Sequence, residues 1–340
     1  ETFQIDDIHI ETGNYYLKVT ASDGINESSE YVEITIQGEP LTMQNIFIVS
    51  LNAGGNQEWY STDETSSTLF HDFDGEYGGA IANSYHQKYI TIGSFGEDIV
   101  AYHPLIMDTA WSKTNPGNLP LAYYGHVTQD HVGNIYVSTT TGQVLSYGSS
   151  GVVSTIVNCQ IDHHPEEVFF FNDRIVVDEV HQSSGGRSMV LYYRNTGVPD
   201  QGAGTGFDLI DIAPKGPDEF YAIANNSSGQ GRLEIYDYDG NNFWSPHAIP
   251  AGSVYDCHGI NGDQILIAHD NGLYKYTYST NSLILIEPGH VFTKLIHNEV
   301  TNTLYCVEGN GFYTYDMAGN QLGYFSHGSN IEDVLVYYNK

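Results

Sequence analysis

The densest group of chemistry-bearing residues in this 340-residue chain is Asp162-His163-His164, with Glu166 and Glu167 close behind. His126 precedes the group and His181 follows it. Imidazoles and carboxylates converging from neighbouring elements could hold a transition metal or move a proton. The spacing is not a metal signature, because His163 and His164 are adjacent and on a strand would point to opposite faces. A ligand-contacting or plain surface role reads equally well, so the metal stays unknown. Arginine occurs only at 174, 187, 194 and 232. Arg187 and Arg232 fall in turns, where they could grip a carboxylate bidentately or stand solvated. Tyr77, Tyr123, Tyr124, Tyr255 and Trp59 could stack on sugar rings, although most tyrosines of such a chain pack in its core. Asp72-Phe73-Asp74-Gly75-Glu76 and Asp237-Tyr238-Asp239-Gly240-Asn241 share a D-x-D-G core. Calcium is possible there, but both segments lack the later bidentate acid of a calcium loop, and Asp-Gly is a common hairpin turn. No other cofactor is implied. No Gly-x-Ser-x-Gly elbow, P-loop or His-Glu-x-x-His occurs.

The elements that must position these residues are repeated. A hairpin of the form x-I-Y-V, turn, G-x-h-Y recurs seven times, most clearly from Gly133, Asp218, Asp263 and Asn302, and more weakly from Gln44, Gln87 and Asp173. The start-to-start spacing is roughly 39 to 47 residues, the period of a four-stranded propeller blade. Each hairpin supplies the two middle strands of a blade. The innermost strands are expected at Glu76–Asn83, Leu121–Gln129, Gln160–Phe171, Asp208–Ala213, Ser253–Ile260 and His290–Ile296. The segment from Asn330 is an innermost strand with no hairpin after it, so it should pair beside the first hairpin and close the ring. The expected fold is all-β: a seven-bladed β-propeller with 3+1 closure, spanning 41–340. The loops that enter the innermost strands and the turns between the middle strands share one face, the channel mouth. That face would gather Tyr77, Tyr124, His126, His163, His164, His181, Arg187, Arg232 and Tyr255, mainly in blades three to five.

Composition bounds the partners. With 42 acidic and 11 basic residues the net charge is −31, which repels nucleic acid and anionic membranes. No apolar run reaches 18 residues, so no transmembrane segment is expected. The 27 Tyr against 4 Met favour strands over helices. Cys159, Cys257 and Cys306 have no framework spacing and read as buried free thiols.

Residues 1–40 do not follow the blade period. The stretches YYLKVTASDG and EYVEITI resemble the last strands of PKD-like and other Ig-like sandwiches, of which only part is present. TQDHVGNIYVS resembles the D-x-x-G-N-I-Y-V stretch of NHL and YVTN-type propellers, and Gly125-His126 and Gly289-His290 resemble the Gly-His of WD40 repeats. Together the chain resembles Bacteroides-type secreted or surface lipoproteins, in which a PKD-like module precedes a YVTN-like propeller. That resemblance implies an extracytoplasmic protein, in the periplasm or lipid-anchored at the cell surface, associated with glycans. The expected function is non-catalytic binding of a glycan or protein partner at the channel mouth. The alternatives are a polysaccharide lyase or hydrolase using the histidines, and a protein-interaction scaffold. A mouth lined by aromatics would favour sugar, convergent histidines and carboxylates the enzyme, and a broad apolar patch the scaffold.

Overall fold

The computed structural model describes residues 13–22, 27–36, 42–76, 79–92, 98–104, 106–114, 124–130, 132–204, 206–237 and 248–339. Among these residues there are strands and turns but no helix. The strands form a two-stranded sheet and seven further sheets arranged as the blades of a propeller.

Blade 1 joins the two ends of the chain. Ile331–Asn339 is its innermost strand and pairs antiparallel with Thr42–Leu51, Val334 lying opposite Ile48 and Val336 opposite Ile46. The other innermost strands are Ala80–Asn83, Tyr124–Gln129, His163–Phe171, Asp208–Pro214, Val254–Asn261 and Lys294–Asn298, in blades 2 to 7. Each touches the innermost strand of the next blade, and the seventh touches the first. Six blades have four described strands, and blade 5 has three.

The middle strands explain the strength of the repeat. Both faces of such a strand press against neighbouring blades, so every residue of Ile135–Thr139 is buried, as are Phe220, Tyr221, Ala222 and Ile223. Strands buried on both faces read as continuous apolar runs. Seven apolar clusters result, each shared by two consecutive blades and together spanning all seven blade interfaces. At the interface of blades 1 and 2, Phe47, Trp59 and Tyr89 meet with ring centroids 5.1–5.5 Å apart. Burying each such ring contributes about 2–3 kcal/mol. Trp59 is fully buried there and its indole donates to Gln57 Oε1 at 2.9 Å. It belongs to the core and not to a sugar-stacking surface.

Three local expectations shift. Asp72–Glu76 is not a hairpin turn: it ends the outer strand Ser67–Glu76, where the register against Asn56–Thr62 slips between Asp72 and Glu76. The inner strand of blade 2 therefore starts at Ala80 instead of Glu76. In blade 7 the inner strand starts at Lys294, because the Glu308 carboxylate accepts from the Val291 amide and bonds His290, taking the preceding residues out of the ladder. The second D-x-D-G segment continues beyond Asp237 into residues outside those described.

The N-terminal hairpin is a sheet of its own. Gly13–Ser22 pairs antiparallel with Glu27–Ile36, in register from Gly13–Ile36 to Ser22–Glu27. The first expected strand, in residues 1–12, lies outside those described.

Candidate functional site

The innermost strands share one irregularity near the mouth. In blades 4, 5, 6 and 1 a single extra residue bulges out, namely Glu166, Ile210, Tyr255 and Glu332. A bulge of this kind leaves one residue unpaired and re-aims its neighbours. The residue after each bulge is acidic: Glu167, Asp211, Asp256 and Asp333. Lys294 stands beside this row at the start of blade 7's strand, and His126 serves blade 3.

Three of these side chains stitch one blade to the next. His126 Nδ1 accepts the Val168 amide of blade 4 at 3.2 Å. Asp211 Oδ2 accepts the Cys257 amide of blade 6 at 3.2 Å, and Asp256 Oδ2 accepts the Leu295 amide of blade 7 at 2.7 Å. Asp211 and Asp256 also hydrogen-bond each other. Burial raises both carboxyls, Asp256 furthest, with the Asp211 charge adding to it. Lys294 is held charged by Asp333 first, then by Asp256, Asp211 and Glu167.

The mouth between blades 4 and 5 is organised around Arg187, which opens the strand Arg187–Tyr193. Its guanidinium reaches Asp178 Oδ2 at 2.5 Å, Asp208 Oδ1 at 2.8 Å and Glu166 Oε2. Burial pushes Asp178 up to about 7 against the pull of Arg187. Burial likewise pushes Glu167 up to about 7, with Lys294 opposing and Asp178 adding to the rise. Asp208 is raised for the same reason, again with Arg187 opposing. His126 Nε2 lies 3.1 Å from Glu167 Oε2. Because Nδ1 accepts an amide, Nε2 carries the proton and donates it to Glu167. Burial lowers His126 to about 4, so this is a neutral imidazole's hydrogen bond.

The expected site residues divide. Arg187 and His126 enter the mouth network. His163 and His181 meet edge-on, with centroids 4.9 Å apart, as cross-strand partners at the end of the same blade. Their Nδ1 atoms are engaged by Ile161 O and by Ser183 and Ser184. His164 is half-buried opposite Val180. Arg232 stays out of the Arg187 network: it lies 3.8 Å above the Phe207 ring and 3.5 Å from Glu234. Tyr255 donates to Asp270 Oδ1 at 2.6 Å. The backbone of Tyr124 pairs with Thr139, while its side chain, like the whole of Tyr77, lies outside those described. Among the described residues the three titratable groups drawn closely enough to share an ion are Glu166, Asp178 and Asp208, without a histidine.

Asp178, Asp211, Lys294 and Asp333 were not singled out by the sequence reading. A signal for the acids was present: aligning LIDI, VYDC, IEDV and PEEV puts an acid in one column of four inner strands. Two clefts lie away from the mouth. One of about 410 Å³ opens at the opposite end, lined by Asn172, Lys215, His258 and Asn261; the other, of about 460 Å³, lies beside Met43, Ser61 and Glu64.

No family model matches the chain, and no curated protein matches it. Solved structures do. The computationally designed Ika8 protein superposes with a TM-score of 0.61 at 12% identity, over 86% of this chain and 87% of that one. The Dos1 propeller gives 0.59 at 12% identity, over 88% and 96%. Apo AztD from Citrobacter koseri gives 0.53 at 12% identity, over 87% and 98%. At such identity the likeness shows the fold alone: a seven-bladed β-propeller.

Proposed function

We propose that the chain is a non-catalytic, extracytoplasmic binding protein that holds a glycan at the channel mouth of blades 3 to 5. The observation that carries this is the departure of blade 4 from the repeat. Opposite the residue after the bulge, blades 1, 5 and 6 place Val49, Ile223 and Ala268, and blade 7 places Val307 opposite Lys294, whereas blade 4 places the buried Asp178. What recurs in every blade serves the ring; a buried charge found in one blade serves something else. The exposed Glu166 and Asp208 carboxylates beside it can accept from sugar hydroxyls.

The charge balance selects the ligand. Arg187 already has three carboxylate partners and Arg232 sits elsewhere, so capture of a uronate by these arginines is disfavoured. A neutral glycan suits the mouth better. The division into a β module of residues 1–40 and a propeller of 41–340 supports an extracytoplasmic setting through its resemblance to secreted lipoproteins. In this reading the module is part of an Ig-like sandwich, and the blade formed by both chain ends is a 3+1 closure.

The test is calorimetry with neutral and uronate oligosaccharides against the parent chain and Asp208→Ala. Preference for the neutral sugars, weakened by the substitution, is expected. Absence of binding to either class overturns the glycan reading and leaves a protein partner. The enzyme alternative keeps one specific support: Glu167 and Asp178, both near 7, are poised for acid–base work. Turnover of any oligosaccharide, lost in Glu167→Gln, would replace the binding reading with that one.

A further inference from the structure

The mouth carboxylates are more numerous than Arg187 can answer. Glu166, Asp178 and Asp208 face one guanidinium, and Arg187 takes a single oxygen from each. Asp178 is wholly buried. Its Oδ2 also accepts the Leu209 amide at 3.3 Å, but its Oδ1 has no hydrogen-bond partner. A buried carboxylate oxygen without a donor is costly, and blades 1, 5, 6 and 7 avoid that cost by placing an apolar residue there.

We propose that Glu166, Asp178 and Asp208 bind a hard divalent cation, with Ca²⁺ the best fit, at the mouth between blades 4 and 5. One oxygen from each of the three lies within 4.8 Å of the others. Oxygens ligating one Ca²⁺ at about 2.4 Å stand no more than about 4.8 Å apart, so the spacing is within reach. The donor set is carboxylate only, which suits Ca²⁺, Mg²⁺ or Mn²⁺ over a metal that prefers imidazole or thiolate. Ca²⁺ tolerates an irregular set of ligands, whereas Mg²⁺ demands a near-ideal octahedron. Glu166 and Asp208 are each 44% exposed, so the ion can enter and water can complete its shell. Arg187 bonds one oxygen of each of the three carboxylates and so fixes where they stand, a positioning role. The cation would supply the positive charge the mouth lacks and give a neutral sugar a centre for its hydroxyls. That last consequence rests on the glycan reading; the cation site does not.

The experiment titrates the chelator-treated full chain with CaCl₂, and separately MgCl₂, by calorimetry in about 0.15 M salt, where diffuse attraction to the acidic surface is screened. No sugar is present, so the result is independent of the glycan question. One saturable Ca²⁺ site per chain is expected, weakened at least tenfold in Asp178→Asn and in Asp208→Asn. Glu299→Gln, at an exposed acid elsewhere, should bind as the parent does. Asp208→Asn lies at the exposed rim, so its reading stands even where Asp178→Asn fails to fold. A calcium-dependent rise in melting temperature should accompany binding and vanish in the same variants. No saturable heat with either ion, or binding unchanged in both aspartate variants, overturns the proposal.

Discussion

Asp256 and Asp178 are carboxylates two blades apart, close to the same channel, yet their surroundings differ. Asp256 belongs to a row. Its counterparts Glu167, Asp211 and Asp333 follow the same bulge, its oxygens accept the amides of Cys257 and Leu295, and it hydrogen-bonds Asp211. Asp178 stands where Val49, Ile223, Ala268 and Val307 stand in other blades, and one of its oxygens has no partner. The wall of the channel in blades 5 to 7 is electrostatically closed by the protein itself. The mouth between blades 4 and 5 is left with negative charge to spare. In a repeat architecture this contrast separates the acids whose oxygens are answered within the ring from the one that keeps an unpaired oxygen.

The largest expected effect breaks the wall. Deleting residues 331–340 removes the inner strand of blade 1, exposes the edge of Thr42–Leu51 and takes Asp333 from Lys294. The apolar cluster of blades 7 and 1 loses Ile331 and Val334 with it. The melting temperature, read by circular dichroism, should fall by well over ~10 °C, or the cooperative transition should disappear. A melting curve that superimposes on the parent's would mean that the strand is an accessory to the ring.

A pair of single substitutions sharpens the comparison directly. Asp256→Ala strands the Leu295 amide and should cost about 1–3 kcal/mol in urea denaturation. Asp178→Asn keeps an acceptor for Arg187 and the Leu209 amide while removing a buried charge. In chelated buffer it should lie within ~1 kcal/mol of the parent or above it. Equal losses in the two variants would erase the distinction between wall and mouth.

The ring was legible in the sequence because its cause is local and repeated. Middle strands buried on both faces must be continuously apolar, and the turns between them need Gly or Asn, so the hairpins from Gly133 or Asn302 announce themselves. The inner strands were placed less well where a side chain overrides the ladder, as Glu308 does ahead of Lys294. The site was half visible. Arg187 and His126, which lie in the mouth network, were singled out because their residue types stand out in an acidic chain. Asp178 was not, since one acid among 42 carries no signal until the register sets it against Val49, Ile223, Ala268 and Val307. Arg232 was grouped with Arg187 by turn position. Arg232 instead lies in the strand Gly231–Asp237, where its side chain leans on the Phe207 ring.

The smallest expected effect is in the pH dependence of stability, and it tests whether the wall is protonated as its hydrogen bonds require. Burial raises the Asp256 carboxyl well above the ordinary 3.8, so in the window above that value the folded chain binds more protons there than the unfolded chain. Stability from this group is therefore present at low pH and lost as pH rises through the folded value. His258 lies on the same strand and stacks on His297 of blade 7, with centroids 4.8 Å apart. Burial, then the His297 charge, lowers it from 6.5 to about 4, so the folded chain binds fewer protons between those values. Its stability is present above pH 6.5 and lost as pH falls toward 4. The two slopes oppose each other in the parent. Relative to the parent, Asp256→Asn, a mimic of the protonated acid, should shift the profile toward stability rising with pH. His258→Asn should shift it the opposite way relative to the parent, toward stability falling as pH rises. Urea midpoints at pH 4.5, 5.5, 6.5 and 7.5 would read both, and a profile unchanged by Asp256→Asn would mean that Asp256 is ionised in the folded ring.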